Sequence, residues 1–232
     1  MKDSCNKAWV REIMTIVKPF LGLKTVGVEH ISATTQPSVF VGNHGVSVGP
    51  VAALIYLPAH FRPWIHDRML SPDESTETMM GTFQNRFNWL GQKRKKRLLK
   101  HLAEIMSKAM AAFNPIPVSR TDPMKMMPTI QESLDTLLSG DNLLIFPENP
   151  QEHYNTDSYR NLHPAFGILG HLYYQKTGKE LAFYPCFTDT KHKRFSIGTP
   201  ILYSPSGDIE GSIRDLVFRV QESMIQLSNS NS

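Results

Sequence analysis

Cysteine is scarce in this chain: Cys5 and Cys186 are the only two among 232 residues, and they lie far apart. No C-x-x-C unit can form, which argues against a disulfide framework and fits a reducing compartment. Long apolar runs are missing as well. None approaches the roughly 18 to 20 residues that a membrane-crossing helix needs. The first residues do not read as a secretory signal, because Met1–Lys7 carries Asp3 and the apolar positions beyond are broken by Arg11, Glu12 and Lys18. There is no internal repeat, and no low-complexity segment beyond the polar stretch Ser228–Ser232. Metal-ligand spacing is absent too. His60 and His66 flank Pro63-Trp64, while His153, His163 and His171 are scattered, and none of them forms H-E-x-x-H or another zinc pattern. No metal or resident cofactor is expected.

What is present describes a globular protein with one sizeable core. Hydrophobic residues make up 41% and charged residues 20%, and the net charge of +4 favours anionic partners. Helical spacing of Trp9, Ile13, Ile16, Val17 and Phe20 predicts an amphipathic helix over Trp9–Leu21. Ser38–Val41 reads as a buried strand after Pro37. A helix is expected from Pro50 to Leu57, ended by Pro58. Helix-rich sequence spans Thr78–Phe113, ahead of a short strand at Ile116–Val118. Thr129–Leu138 is predicted helical, Leu143–Phe146 a strand, and Ala165–Thr177 a helix capped by Gly178. Leu181–Phe187 and Phe195–Leu202 are strand-like. Ile209–Leu227 closes the chain as a helix with Ile213, Leu216, Val217, Val220 and Met224 on one face. Strands alternating with helices predict an α/β layer fold: an N-terminal helix within residues 1–25, one α/β domain over 26–227, and a fraying tail at 228–232.

The stretch Val41-Gly42-Asn43-His44-Gly45-Val46-Ser47-Val48-Gly49-Pro50 supports two chemistries. Gly45-Val46-Ser47-Val48-Gly49 spells G-x-S-x-G, and its strand–turn–helix setting is that of a nucleophile elbow, with Ser47 as an alternative nucleophile. An esterase of that kind needs an acid and then a histidine further along. Asp189 and His192 fall in that order, with nothing around them in the sequence to recommend them. The structural reading is that Gly45 and Gly49 turn the backbone while Ser47 caps the next helix.

The other chemistry centres on His44. Asn114-Pro-Ile-Pro-Val-Ser-Arg120 is a short strand ending in arginine, and Leu143-Leu-Ile-Phe-Pro-Glu148 is a strand ending in Pro-Glu. Phe166-Gly167-Ile168-Leu169 follows, and then Phe183-Tyr184-Pro185 at an expected strand end. With Asn43-His44, these blocks in this order resemble the glycerolipid acyltransferases, the family that includes the lysophosphatidic acid acyltransferases. The resemblance spans roughly Val39–Leu202. It implies a mixed sheet flanked by helices and transfer of a fatty acyl group from acyl-CoA or acyl carrier protein to a lysophospholipid or a glycerol-phosphate-like alcohol. His44 would be the general base. Asn43, Arg120, Pro147 and Glu148 would bind the acceptor or shape its site.

Two positions depart from that family pattern. Asn-His, four residues and then Asp becomes Asn43-His44 leading to Gly49, and the residues after Phe146-Pro147-Glu148 are Asn149-Pro150-Gln151 instead of Gly-Thr-Arg. His44 therefore lacks the acid expected to orient it, and Glu148 is the acid nearest to hand in the motif set. A Gly49→Asp change would test whether an orienter is missing. A non-catalytic lipid-binding protein on the same scaffold is the competing reading. Lys93-Arg94-Lys95-Lys96-Arg97, near Phe87, Trp89 and Leu90, suits an anionic bilayer or a solvated helix face. Nucleic acid is not expected, since no nucleic-acid motif accompanies the cluster. The expected location is cytoplasmic, peripheral on the cytoplasmic membrane face. The methionines are expected to fill core gaps or line a lipid groove.

Overall fold

The structure is a computed structural model and describes residues 18, 21–31, 36–44, 48–70, 91–119, 126–148 and 160–229. The expected N-terminal helix over Trp9–Leu21, the stretch Thr78–Leu90 and the terminal residues 230–232 fall wholly or almost wholly outside these. In chain order the strands are β1 (Lys24–Val26), β2 (Ser38–Gly42), β3 (Phe61–His66), β4 (Ile116–Val118), β5 (Asn142–Ile145), β6 (Ala182–Asp189), β7 (Arg194–Ile197) and β8 (Ile201–Leu202). The α-helices are α1 (Val48–Tyr56), α2 (Asp67–Leu70), α3 (Gln92–Ala111), α4 (Met126–Leu138), α5 (Ile168–Thr177) and α6 (Ile209–Asn229). The chain is thus mixed α/β, with a mostly parallel sheet flanked by helices.

Contacts divide it into two compact units, one falling within Pro63–Thr129 and the other within Glu12–Arg62 and Ile130–Ser232. In the first, β3 and β4 run parallel, with Trp64 in register with Ile116, and α2 packs on the long basic helix α3. Thr129 at the start of α4 donates its hydroxyl hydrogen to the Pro117 carbonyl at 2.7 Å.

The second unit holds the larger core. Its strands lie in the order β1-β7-β6-β2-β5, with β8 also pairing β6. β2 is flanked by parallel partners, β5 on one side and β6 on the other. A strand buried on both faces reads as a continuous apolar run, and all five residues of Ser38–Gly42 are buried. Phe40 stacks on Tyr184 with ring centroids 5.2 Å apart. α1 packs on β2, β6 and β7, while α6 packs on β6, β8 and α5 through Leu216, Val217, Val220 and Met224, as its periodicity predicts.

Tyr184-Pro185 differs from the expected strand end. β6 runs through Pro185 and on to Asp189. Proline is tolerated there because the antiparallel partner changes at that point: β8 pairs Ala182 and Phe183, and β7 pairs Cys186 onward. No ladder donor is required between them, and the Pro185 carbonyl accepts from Gly198 N–H at 2.8 Å. α5 ends at Gly178 in the left-handed conformation (φ 68°), as predicted, and is preceded by a 3-10 turn over Pro164–Gly167.

Candidate active site

The chain reaches β6 from β5 by passing to the other side of β2, so the carboxyl ends of β5, β2 and β6 stand side by side. In open α/β sheets the crevice outside the carboxyl ends, where strand order reverses, is where ligands bind. Three short segments continue from those ends: Asn43-His44 after β2, Phe146-Pro147-Glu148 after β5, and the turn from Asp189, the last residue of β6, to His192.

Asn43 joins two of them. Buried at 3% exposure, its amide oxygen accepts from Thr188 N–H at 2.7 Å and its amide nitrogen donates to the Thr188 carbonyl at 3.2 Å. The side chain thereby continues the β2–β6 ladder one step past the backbone. This geometry gives Asn43 a positioning role: it fixes where the next residue, His44, leaves the sheet.

His44 is half-buried. Its backbone N–H donates to Glu148 Oε1 at 2.6 Å across a sequence separation of 104, and its carbonyl accepts from Gly49 N–H at 3.1 Å. The imidazole meets the Phe146 ring edge-on, centroids 6.3 Å apart and planes at 83°. Phe146 can lie there because Gly42 has no side chain; a Cβ at 42 would stand 2.6 Å from Phe146 Cε1. Glu148, also buried, pairs antiparallel with Leu162, and the Pro147 carbonyl accepts from His163 N–H at 2.6 Å. A buried carboxylate is tolerable only with good donors, and the short bond from His44 is one of them.

Gly49 proves to be required by space. A Cβ there would fall on the Asn43 carbonyl oxygen and come within 3.0 Å of the His44 oxygen. Those two carbonyls leave no room for a side chain at 49, so the aspartate of the acyltransferase pattern could not stand there with this backbone. Ser47, the alternative nucleophile, and Arg120, the expected phosphate ligand, both lie outside the described residues.

After β6 the structure brings together a pair that the sequence did not recommend. Asp189 Oδ2 lies 2.6 Å from His192 Nδ1, and Oδ1 accepts from the His192 backbone N–H at 2.9 Å. Burial works to raise the Asp189 pKa, but hydrogen bonds from the His192 main chain and ring, its charge, and the Lys191 N–H outweigh burial and hold it below the usual value. An ionised carboxylate has no proton to give, so Nδ1 carries the hydrogen, and in the neutral ring Nε2 is left as a base. The only signal in the sequence was an acid and a histidine three apart, Asp189-Thr-Lys-His192, between two strands. This is also the acid–histidine pair that a G-x-S-x-G esterase would require.

No family model matches the chain, and no curated protein matches it. Among the described residues no group of three or more metal-ligating side chains occurs, and no helix is long and apolar enough to cross a membrane.

Proposed function

We propose that this protein is an O-acyltransferase that moves a fatty acyl group from acyl-CoA or acyl carrier protein to a lysophospholipid or related alcohol. The observation that carries the reading is the hydrogen bond from His44 to Glu148, which joins the histidine block to the Pro-Glu block across 104 positions. In the reaction, His44 takes the proton of the acceptor hydroxyl while its oxygen bonds to the thioester carbonyl carbon. The carbon–sulfur bond then breaks, and the proton passes from the imidazolium to the departing thiolate. Arg120 would grip the acceptor phosphate and Glu148 would hold the loop that carries the base. The exposed cations of α3, Lys93, Arg94, Lys96 and Arg97, suit work at the anionic cytoplasmic face of a membrane.

A second reading, a lipid-binding protein that no longer transfers, draws on Gly49, where the orienting acid has no room. Labelled acyl-CoA with a panel of lysophospholipids separates the two. Acylated product from wild type and Ser47→Ala but not from His44→Ala supports transfer by His44. Lysolipid bound without product favours the binding protein. Fluorophosphonate labelling that disappears in Ser47→Ala would replace both with an esterase.

A further inference from the structure

We propose that Asp189 and His192 form a general-base dyad at the carboxyl end of β6, in which His192 Nε2 deprotonates a water or alcohol attacking an acyl ester or thioester that carries an anionic group. The dyad goes beyond the His44 reading and does not depend on it.

The turn between β6 and β7 does not by itself require this arrangement. One bond from Asp189 Oδ1 to the His192 N–H closes it, as aspartate commonly does in turns. The second oxygen is committed to the ring at 2.6 Å, which fixes both its orientation and its tautomer. In hydroxyl-activating dyads the carboxylate does this and also stabilises the imidazolium that forms. Asp189 itself is buried, whereas the His192 side chain is about a third exposed, at 35%. The acid is thus shielded while the base remains reachable.

Position and charge support the same conclusion. Asp189 follows directly on Thr188, whose N–H and C=O are both held by Asn43, so the dyad and the His44 loop are anchored to one another. Three cationic residues stand close to it in the chain or the ladder. Lys191 and Lys193 belong to the turn, Arg194 stands opposite Asp189 in the ladder, and β1 joins through the Lys24 N–H on the Lys193 carbonyl at 2.9 Å. A basic rim beside an oriented imidazole suits an acyl compound bearing phosphate or carboxylate.

The step balances without a cofactor. The attacking oxygen bonds to the carbonyl carbon as its proton moves to Nε2. When the carbonyl re-forms, the carbon–oxygen or carbon–sulfur bond to the leaving group breaks, and the proton on Nε2 passes to that group. Asp189 acts through the ring and is a positioning residue.

The test uses the full chain and p-nitrophenyl acetate, a small activated ester that needs no lipid acceptor. His192→Gln is expected to lower kcat at least about tenfold, a conservative expectation for loss of a general base, with KM little changed and the thermal unfolding transition retained. Asp189→Asn is expected to lower kcat less, and Asp189→Glu to recover part of it. Added imidazole should restore cleavage in a His192→Ala variant beyond its own background, which a structural role would not allow. A wild type no faster than free imidazole, or His192→Gln cleaving at the wild-type rate, would overturn the proposal. Acyl-CoA transfer is read separately in His44→Ala. No transfer by wild type, with His192-dependent cleavage intact, removes the transferase reading and leaves the dyad. Transfer that depends on His44, with cleavage indifferent to His192, removes the dyad and leaves the transferase.

Discussion

The ends of β2 and β6 are neighbours, and each presents a histidine, but different atoms fix them. After β2, His44 is fixed through its main chain, with its N–H on Glu148 and its carbonyl on Gly49. After β6, one carboxylate holds His192 through its main-chain N–H and, in addition, through its ring. Main-chain bonds set where a side chain starts; a bond to Nδ1 sets which nitrogen is basic. The residue pattern that resembles an acyltransferase lies at one strand end, and an imidazole held by a carboxylate through Nδ1 lies at the other. The substitutions below act on one strand end, on the other, or on the link between them.

The largest effect is expected at Gly49. Any side chain there meets the Asn43 and His44 carbonyl oxygens, and forcing atoms into a packed site costs about 1–3 kcal/mol. An aspartate adds a buried carboxylate facing two oxygens, so Gly49→Asp should exceed Gly49→Ala and reach about 3 kcal/mol or more. Urea unfolding of both variants measures this, and transfer by Gly49→Asp should fall. A stable Gly49→Asp protein with faster transfer would show that the loop reopens and that His44 had lacked only its acid.

Glu148→Ala comes next. It strips the His44 N–H of its acceptor in a buried setting, a loss of about 1–3 kcal/mol. Glu148→Gln keeps an acceptor oxygen and should cost less. Equal midpoints for the two in urea would mean that the carboxylate charge, not the bond, holds the β2 loop.

Asn43 couples the two strand ends. Asn43→Ala removes both bonds to Thr188 and should cost about 1–2 kcal/mol. Its more telling readout is a double-mutant cycle. If Asn43 transmits position to both histidines, adding Asn43→Ala should have less effect on residual activity once His44 or His192 is already gone than it has in wild type. Strict additivity in both cycles would confine Asn43 to stability.

Most of the larger unit was readable because burial there follows simple patterns. The run Ser38–Val41 is β2, Leu143–Phe146 is β5 displaced by one residue, and the apolar stripe of α6 is the face it buries; in the smaller unit, Ile116–Val118 is β4 as predicted. β1 and β3 were not foreseen. The short run Lys24–Val26, exposed at both ends, owes its strand to β7. In Phe61–His66 a proline and an arginine break the apolar pattern, and Glu132 and Thr136 of α4 accept hydrogen bonds from Arg62. At the site, Asn43, His44 and Glu148 stood out as motif residues, and their convergence follows from parallel pairing. The crowding at Gly49 could not be seen, since a glycine in a sequence does not say whether it is there for freedom or for space. The Asp189–His192 bond could not be seen either, because it depends on how the turn between β6 and β7 directs two side chains.

The smallest effect is a pH dependence at Asp189, and its sign follows from the direction of the shift. The folded-state pKa lies below its ordinary value: burial opposes this, but the His192 and Lys191 donors and the His192 charge prevail. A carboxyl that binds its proton more weakly when folded adds stability above its unfolded pKa, about 3.9, and loses it as pH falls through the folded value. Wild type should therefore exceed Asp189→Asn in unfolding free energy at pH 5–7, and the gap should narrow below about pH 4. Urea midpoints at four or five pH values would trace it. A gap that widened toward acid would mean that Asp189 is held protonated, which would undo the assignment of the Nδ1 hydrogen and with it the contrast between the two strand ends.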